Sequence, residues 1–136
     1  MNLGKAIYFI LSNDSDLSTA GVDIFPVMAK ETNPFPFLTY EINQDDPVQT
    51  KDGTSTMGVY RLECLVFDEE YNDLCTISGY VKTALERVPT YPSSTYNGVV
   101  LQSIEFDTIS DDYDDKSGER GVYRQRLVFT IRQIIS

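Results

Sequence analysis

Two alternating stretches near the C-terminus constrain this chain more than anything else in it. In the first, Val100, Ile104 and Phe106 point one way and Ser103, Glu105 and Asp107 the other. In the second, Tyr123, Leu127, Phe129 and Ile131 share one face, and Arg124, Arg126, Thr130 and Arg132 the other. A period of two over this length is the mark of a β-strand with one buried face. Only SDDYDDKSG and a few residues around it separate the two, so they read as a long C-terminal hairpin with Ser110–Gly118 as its connection. A hairpin this long needs an apolar layer against its buried face, and the rest of the chain must supply it.

GVYRLECLVF, Gly58 to Phe67, reads as a third strand with Tyr60, Leu62, Cys64 and Val66 on one face. A helix follows at once. Asp68 is suited to cap it, and Glu69 and Glu70 suit the positive end of its dipole. Tyr71, Leu74, Ser78, Val81, Leu85 and Val88 recur every three or four residues, and Pro89 stops the run. Upstream, Leu3, Ile7, Ile10 and Leu11 predict a helix over about Leu3 to Leu11, ended by SNDSD, whose side chains compete for backbone hydrogen bonds.

Gly21 then opens a short strand, Val22 to Val27. PFPFLTYEIN, Pro34 to Asn43, reads as another, and the Phe35–Pro36 bond is a candidate cis peptide, a form about one X–Pro bond in twenty adopts. Asn43 to Gly58 is a polar loop or a hairpin arm, and Pro89 to Asn97 a linker. The expected order is α–β–β–(loop)–β–α–β–β. It implies an α+β fold: a largely antiparallel sheet with two helices packed on one face and a long C-terminal β-hairpin.

The length of 136 residues fits one domain, 1–136, able to bury about two-thirds of its unfolded surface. Eleven basic against 21 acidic residues give a net charge of −10, which repels nucleic acid in general. Cys64 and Cys75 match no metal spacing, and both lie in apolar surroundings, as reduced, buried thiols do. No apolar run nears the roughly 20 residues of a membrane span, and the N-terminus lacks a small-residue cleavage site. Folding in the cytoplasm is expected.

The chain holds no histidine, so the commonest general base and metal ligand is missing. Gly53 to Gly58 has the glycine spacing of a phosphate loop, but Val59 and Tyr60 stand where Lys and Ser/Thr are required. Asp111, Asp112, Asp114 and Asp115 invite a calcium reading. An EF-hand counted from Asp112 places Lys116, Ser117 and Tyr123 at positions five, six and twelve, where acid or amide, Gly and Glu are needed. A hairpin tip is also too solvated for a paired acid–base site. The aspartates then read as a solvated connection, whose neutralisation leaves the fold intact, or as a partner-facing tip. Arg124 and Arg126, opposite Glu105 and Asp107, form either an ion-paired sheet face or a contact with a neighbouring subunit.

Several segments together are similar to the tail-completion or tail-terminator proteins of tailed bacteriophages. These are the N-terminal helix ending in Ile10 and Leu11, the strand VDIFP, the proline-aromatic strand PFPFLTYEI, YRLECLVFDEEY running into a helix, and a hairpin closing with YRQRLVFTIRQ. The resemblance covers nearly the whole chain. It implies a structural virion protein with no catalytic residues, metal or cofactor. Such proteins form rings, typically hexameric, on the head-proximal end of the tail tube, assembled in the host bacterial cytoplasm. Implied partners are a second copy, the tail-tube protein and the head–tail connector, with DNA only passing through the lumen and no membrane. Interface candidates are Asp111, Asp112, Asp114, Asp115, Arg124 and Arg126, with Lys51 and Asp52 in the long loop. A head–tail joining protein and a monomeric, non-enzymatic binding module are the alternatives.

Overall fold

The computed structural model describes residues 2–27, 34–43, 57–86, 94–96, 99–114 and 121–134. The elements run α1 (Asn2–Ser12), α2 (Ser15–Thr19), β1 (Asp23–Pro26), β2 (Phe37–Asn43), β3 (Met57–Asp68), α3 (Tyr71–Glu86), β4 (Ser94–Tyr96), β5 (Val99–Asp114) and β6 (Val122–Ile134). The six strands form one sheet in the order β1-β2-β3-β6-β5-β4. Only β1 and β2 pair in parallel; the other neighbours are antiparallel. The expected α+β class therefore holds.

The sheet and the helices meet because their periodicities agree on one apolar surface. Leu38, Tyr40, Leu62, Cys64, Val66, Leu127, Phe129 and Ile131 alternate along β2, β3 and β6, and all are buried. Leu3, Ala6, Ile7, Ile10 and Leu11 come down on them from α1, and Leu74, Ile77, Val81 and Leu85 from α3. The two helices also touch each other, which places them on the same face. Each fully buried Leu, Ile or Phe contributes roughly 1.5–3 kcal/mol. Tyr40 adds a directional tie: its hydroxyl donates to the Gly4 carbonyl at 2.9 Å, locking β2 to the first turn of α1.

The structure departs from the sequence reading at six places. SNDSD ends α1 but also begins a further helix: Asp14 Oδ2 accepts the Leu17 N–H at 3.1 Å, caps α2 and lets Leu17 reach the core. Asp68 does not cap α3. The ladder holds it in β3 opposite Tyr123, its carboxylate accepts the Glu70 N–H at 3.2 Å, and the helix starts at Tyr71. The stretch read as a linker contains β4, paired with the start of β5. Along β5 the core-facing residues are Leu101, Ile104 and Phe106, because bulges between Leu101 and Ser103 and between Phe106 and Thr108 reset the alternation. Ser110 to Asp114 continue β5 instead of forming the hairpin connection. Cys75 is exposed, one position round α3 from buried Leu74, while Cys64 is buried as expected. The Phe35–Pro36 bond is cis.

Burial, with smaller contributions from Tyr8 and Cys64, lifts the Tyr40 phenol from 10.0 to about 12. A raised pKa means the folded state holds this proton more tightly, so its contribution is complete below pH 10.0 and is lost as pH rises towards 12. Tyr40→Phe should cost about 1 kcal/mol at neutral pH through the lost bond to Gly4. It should also flatten the fall in stability over that alkaline window. Urea titrations at a series of pH values read both effects, and an unchanged alkaline slope in the variant refutes the assignment.

Candidate interface surfaces

The two bulges decide the chemistry of the acidic segment. Downstream of them, Asp111 stands opposite Gln125 and Tyr113 opposite Tyr123, both on the helix side, while Asp112 stands opposite Arg124 on the other side. The pleat sends the adjacent aspartates to opposite faces, which relieves their repulsion, and the bulges set which of them faces the helices. On the helix side, Asp111 accepts from the Tyr71 hydroxyl at 2.8 Å and from Gln125 Nε2 at 2.7 Å. The same Nε2 lies 3.6 Å from Cys75 Sγ. The bond to Asp111 retains the Tyr71 proton and pushes its pKa up to about 12, aided by the Cys75 thiol. Gln125 is buried, and its Oε1 has no partner among the described residues.

An aromatic corner encloses this network. The Tyr71 and Tyr123 rings meet edge to face with centroids 5.3 Å apart, and Tyr113 tilts against Tyr123 at 4.8 Å. Gly121 makes room for that corner, since a Cβ there would overlap the Tyr113 ring. Ile109, on the same side, is 49% exposed and Tyr113 50% exposed. Lys82 Nζ of helix α3 lies 4.7 Å above the Phe106 ring and Tyr71 of the same helix reaches Asp111, while Ile109 and Tyr113 stay exposed.

The opposite sheet face is divided. Its β1–β3 half is aromatic: Phe37 stacks on Phe67 at 4.7 Å and on Phe35 at 5.3 Å, and Phe25 meets Phe37 edge on. Its β5–β6 half is charged. Arg124 pairs with Asp112, and Arg126 with Glu63 on β3. Arg132 takes Glu105 at 2.9 Å, and Thr130 donates to Asp107 at 2.6 Å. The expected pairing of Arg124 and Arg126 with Glu105 and Asp107 is thus replaced, because the bulges displace β5 relative to β6. Glu63 gains from the change. It faces Glu41 across β2–β3, a repulsive pairing that Arg126 and Arg61 offset.

A third surface lies at the other edge of the sheet. An open groove of about 1050 Å³ runs between α1 and the end of β2, lined by residues that include Lys5, Tyr8, Phe9, Val27, Glu41 and Ile42. Tyr8 and Phe9 are exposed because they fall off the Leu3–Ile7–Ile10–Leu11 stripe, and Val27 is 69% exposed at a φ of 66°.

Of the residues singled out from sequence, Asp111, Asp112, Arg124 and Arg126 are spread over both faces of the β5–β6 end, and Asp114 lies in β5 opposite Val122. Asp115, Lys51 and Asp52 lie outside the described residues. No group of three or more potential metal ligands converges among the described residues. Sequence reasoning passed over Ile109, Tyr113 and the α1 groove. The pair Tyr8–Phe9, apolar yet off the buried stripe, was the available signal.

Neutralising the aspartates should therefore have unequal effects. Asp111→Asn should cost about 1–2 kcal/mol, because the amide NH2 that replaces one carboxylate oxygen then faces a donor, and should return the Tyr71 pKa towards 10.0. Asp112→Asn, losing an exposed ion pair, should cost about 0–1 kcal/mol. Denaturant titration and ultraviolet titration of the phenol read these, and equal costs contradict the two-face arrangement. Native protein should also show one fast thiol with a disulfide reagent, Cys75. Cys64, pushed up to about 12 by burial, should react only on unfolding. Two fast thiols refute this.

No protein-family model matches the sequence, and no curated protein matches it. Solved structures do share its fold. A chain of the virion of the native gene transfer agent (GTA) particle superposes with a TM-score of 0.71 at 17% identity, over 97% of this chain and 94% of that one. A second solved chain superposes with a TM-score of 0.51 at 12% identity, over 98% and 94%. At these identities the likeness is one of fold.

Proposed function

We propose that this protein is a structural component of a phage-like virion, and that it caps the head-proximal end of a tail tube as an oligomeric ring. The observation that carries this reading is the fold shared over 97% of the chain with a chain of the gene transfer agent virion. The resemblance of its segments to tail-terminator proteins supports the finer role. The ring stops tube growth and offers its other side to the head–tail connector. Its work is contact rather than chemistry, which suits a chain without histidine. A net charge of −10 suits a lumen through which DNA slides without adhering.

The groove beside α1 favours one other reading, a monomeric module that grips a ligand or partner there. Oligomeric state separates the two. Light scattering and negative-stain microscopy across a wide concentration range, alone and with polymerising tail-tube protein, should show rings and shortened tubes. A strict monomer with no effect on tube length refutes the ring and leaves the binding module.

A further inference from the structure

The outer edge of β5 stands open for most of its length. Strand β4 pairs only with Val99–Leu101, and among the described residues no strand lies outside the rest of β5. The second bulge ends at Thr108, and from there to Asp114 the register with β6 is regular. Residues 108–112 are exposed and include no proline, so their edge can take another strand. Beyond them the edge is closed, because Asp112 Oδ1 accepts the Tyr113 N–H at 2.8 Å.

The side chains along this edge select what fits it. On the helix side Ile109, Asp111 and Tyr113 alternate, with Ile109 and Tyr113 half exposed. An edge that is only blunted against pairing carries charge at such positions. Asp111 carries a charge that its partners do not cancel, since Tyr71 and Gln125 are neutral donors. Asp107, just before this stretch, is likewise held by the Thr130 hydroxyl, whereas Asp112 and Glu105 have arginines. Negative charge therefore remains along the edge after its ion pairs are counted.

We propose that the outer edge of Thr108–Asp112 binds an extended segment of a different protein, with two apolar residues at alternate positions and a lysine or arginine between them. Its ladder bonds go to the β5 backbone, its apolar side chains lie beside Ile109 and Tyr113, and its cation meets Asp111. The described edges of a second copy do not supply that segment. Its β5 sets aspartate against aspartate, and its β1 (Asp23–Pro26) and the end of its β2 (Glu41–Asn43) carry an acid and no base. The site is one for a component other than the chain itself, and it is independent of the ring reading.

A labelled synthetic peptide, Thr-Val-Thr-Lys-Thr-Val-Thr, tests this on the full chain. Fluorescence anisotropy gives its affinity, and amide hydrogen exchange its place. It should bind with a Kd on the order of 10⁻⁴ M and slow exchange in residues 108–112. Replacing its lysine by glutamate should weaken binding by roughly tenfold, and N-methylating its alternate ladder amides should abolish it. Asp111→Asn should narrow the gap between the lysine and glutamate peptides to about threefold, and Ile109→Ser should weaken both; circular dichroism checks that the variants fold. No saturable binding up to about 1 mM, protection at the α1 groove instead, or equal affinity of wild type for the two peptides overturns the site. A wild-type ring that buries residues 108–112 between copies also overturns it and leaves the ring reading intact. A strict monomer that binds the peptide refutes the ring and leaves the site standing.

Discussion

The antiparallel ladder between β3 and β6 is the constraint on which the rest of the structure depends. It runs unbroken from the Met57–Ile134 pair to the Asp68–Tyr123 pair. Because the register has no slip, Leu62 lies beside Phe129 and Cys64 beside Leu127, giving one apolar column at the centre of the sheet. Helices α1 and α3 exist at their positions because that column must be covered, and their stripes match it. A one-residue slip would turn the charged face of one strand, with Arg126 or Glu63, into the core, which burial of charge forbids.

The irregular strand beside this ladder carries the specific features. Strand β5 is as long as its neighbour requires, yet its two bulges change which residues face the helices. They send Asp111 into a network with Tyr71 and Gln125 and Asp112 into an ion pair with Arg124. They also place Ile109 and Tyr113 on the helix side of the sheet, where both stay exposed. The described part of the acidic segment, Ser110 to Asp114, is therefore a strand end with two chemically distinct sides.

Such surfaces fit the assembly role proposed above. Exposed ion pairs on the open sheet face contribute little each, but they keep the face hydrated and specify what can approach it. Apolar surface lies partly on the aromatic β1–β3 half of that face, around Phe37 and Phe67, and partly at the α1 groove and at Ile109 and Tyr113.

The sequence by itself determined the elements with local causes. The alternation of Leu62, Cys64 and Val66, the spacing of Leu3, Ile7, Ile10 and Leu11, and the apolar run from Leu74 to Leu85 each require only their own neighbours to be read. Strand, helix and α+β class followed from them. The tertiary structure alone decided what depended on partners distant in the chain. A bulge is defined against the opposite strand, so the true neighbours of Arg124 and Arg126 were not legible in β5 or β6 separately. Asp68 was drawn into β3 by Tyr123, some 55 positions away in the chain, and not by the helix it adjoins. Tyr8, Ile109 and Tyr113 count as candidate interface residues only because the fold, having satisfied its core, leaves them uncovered.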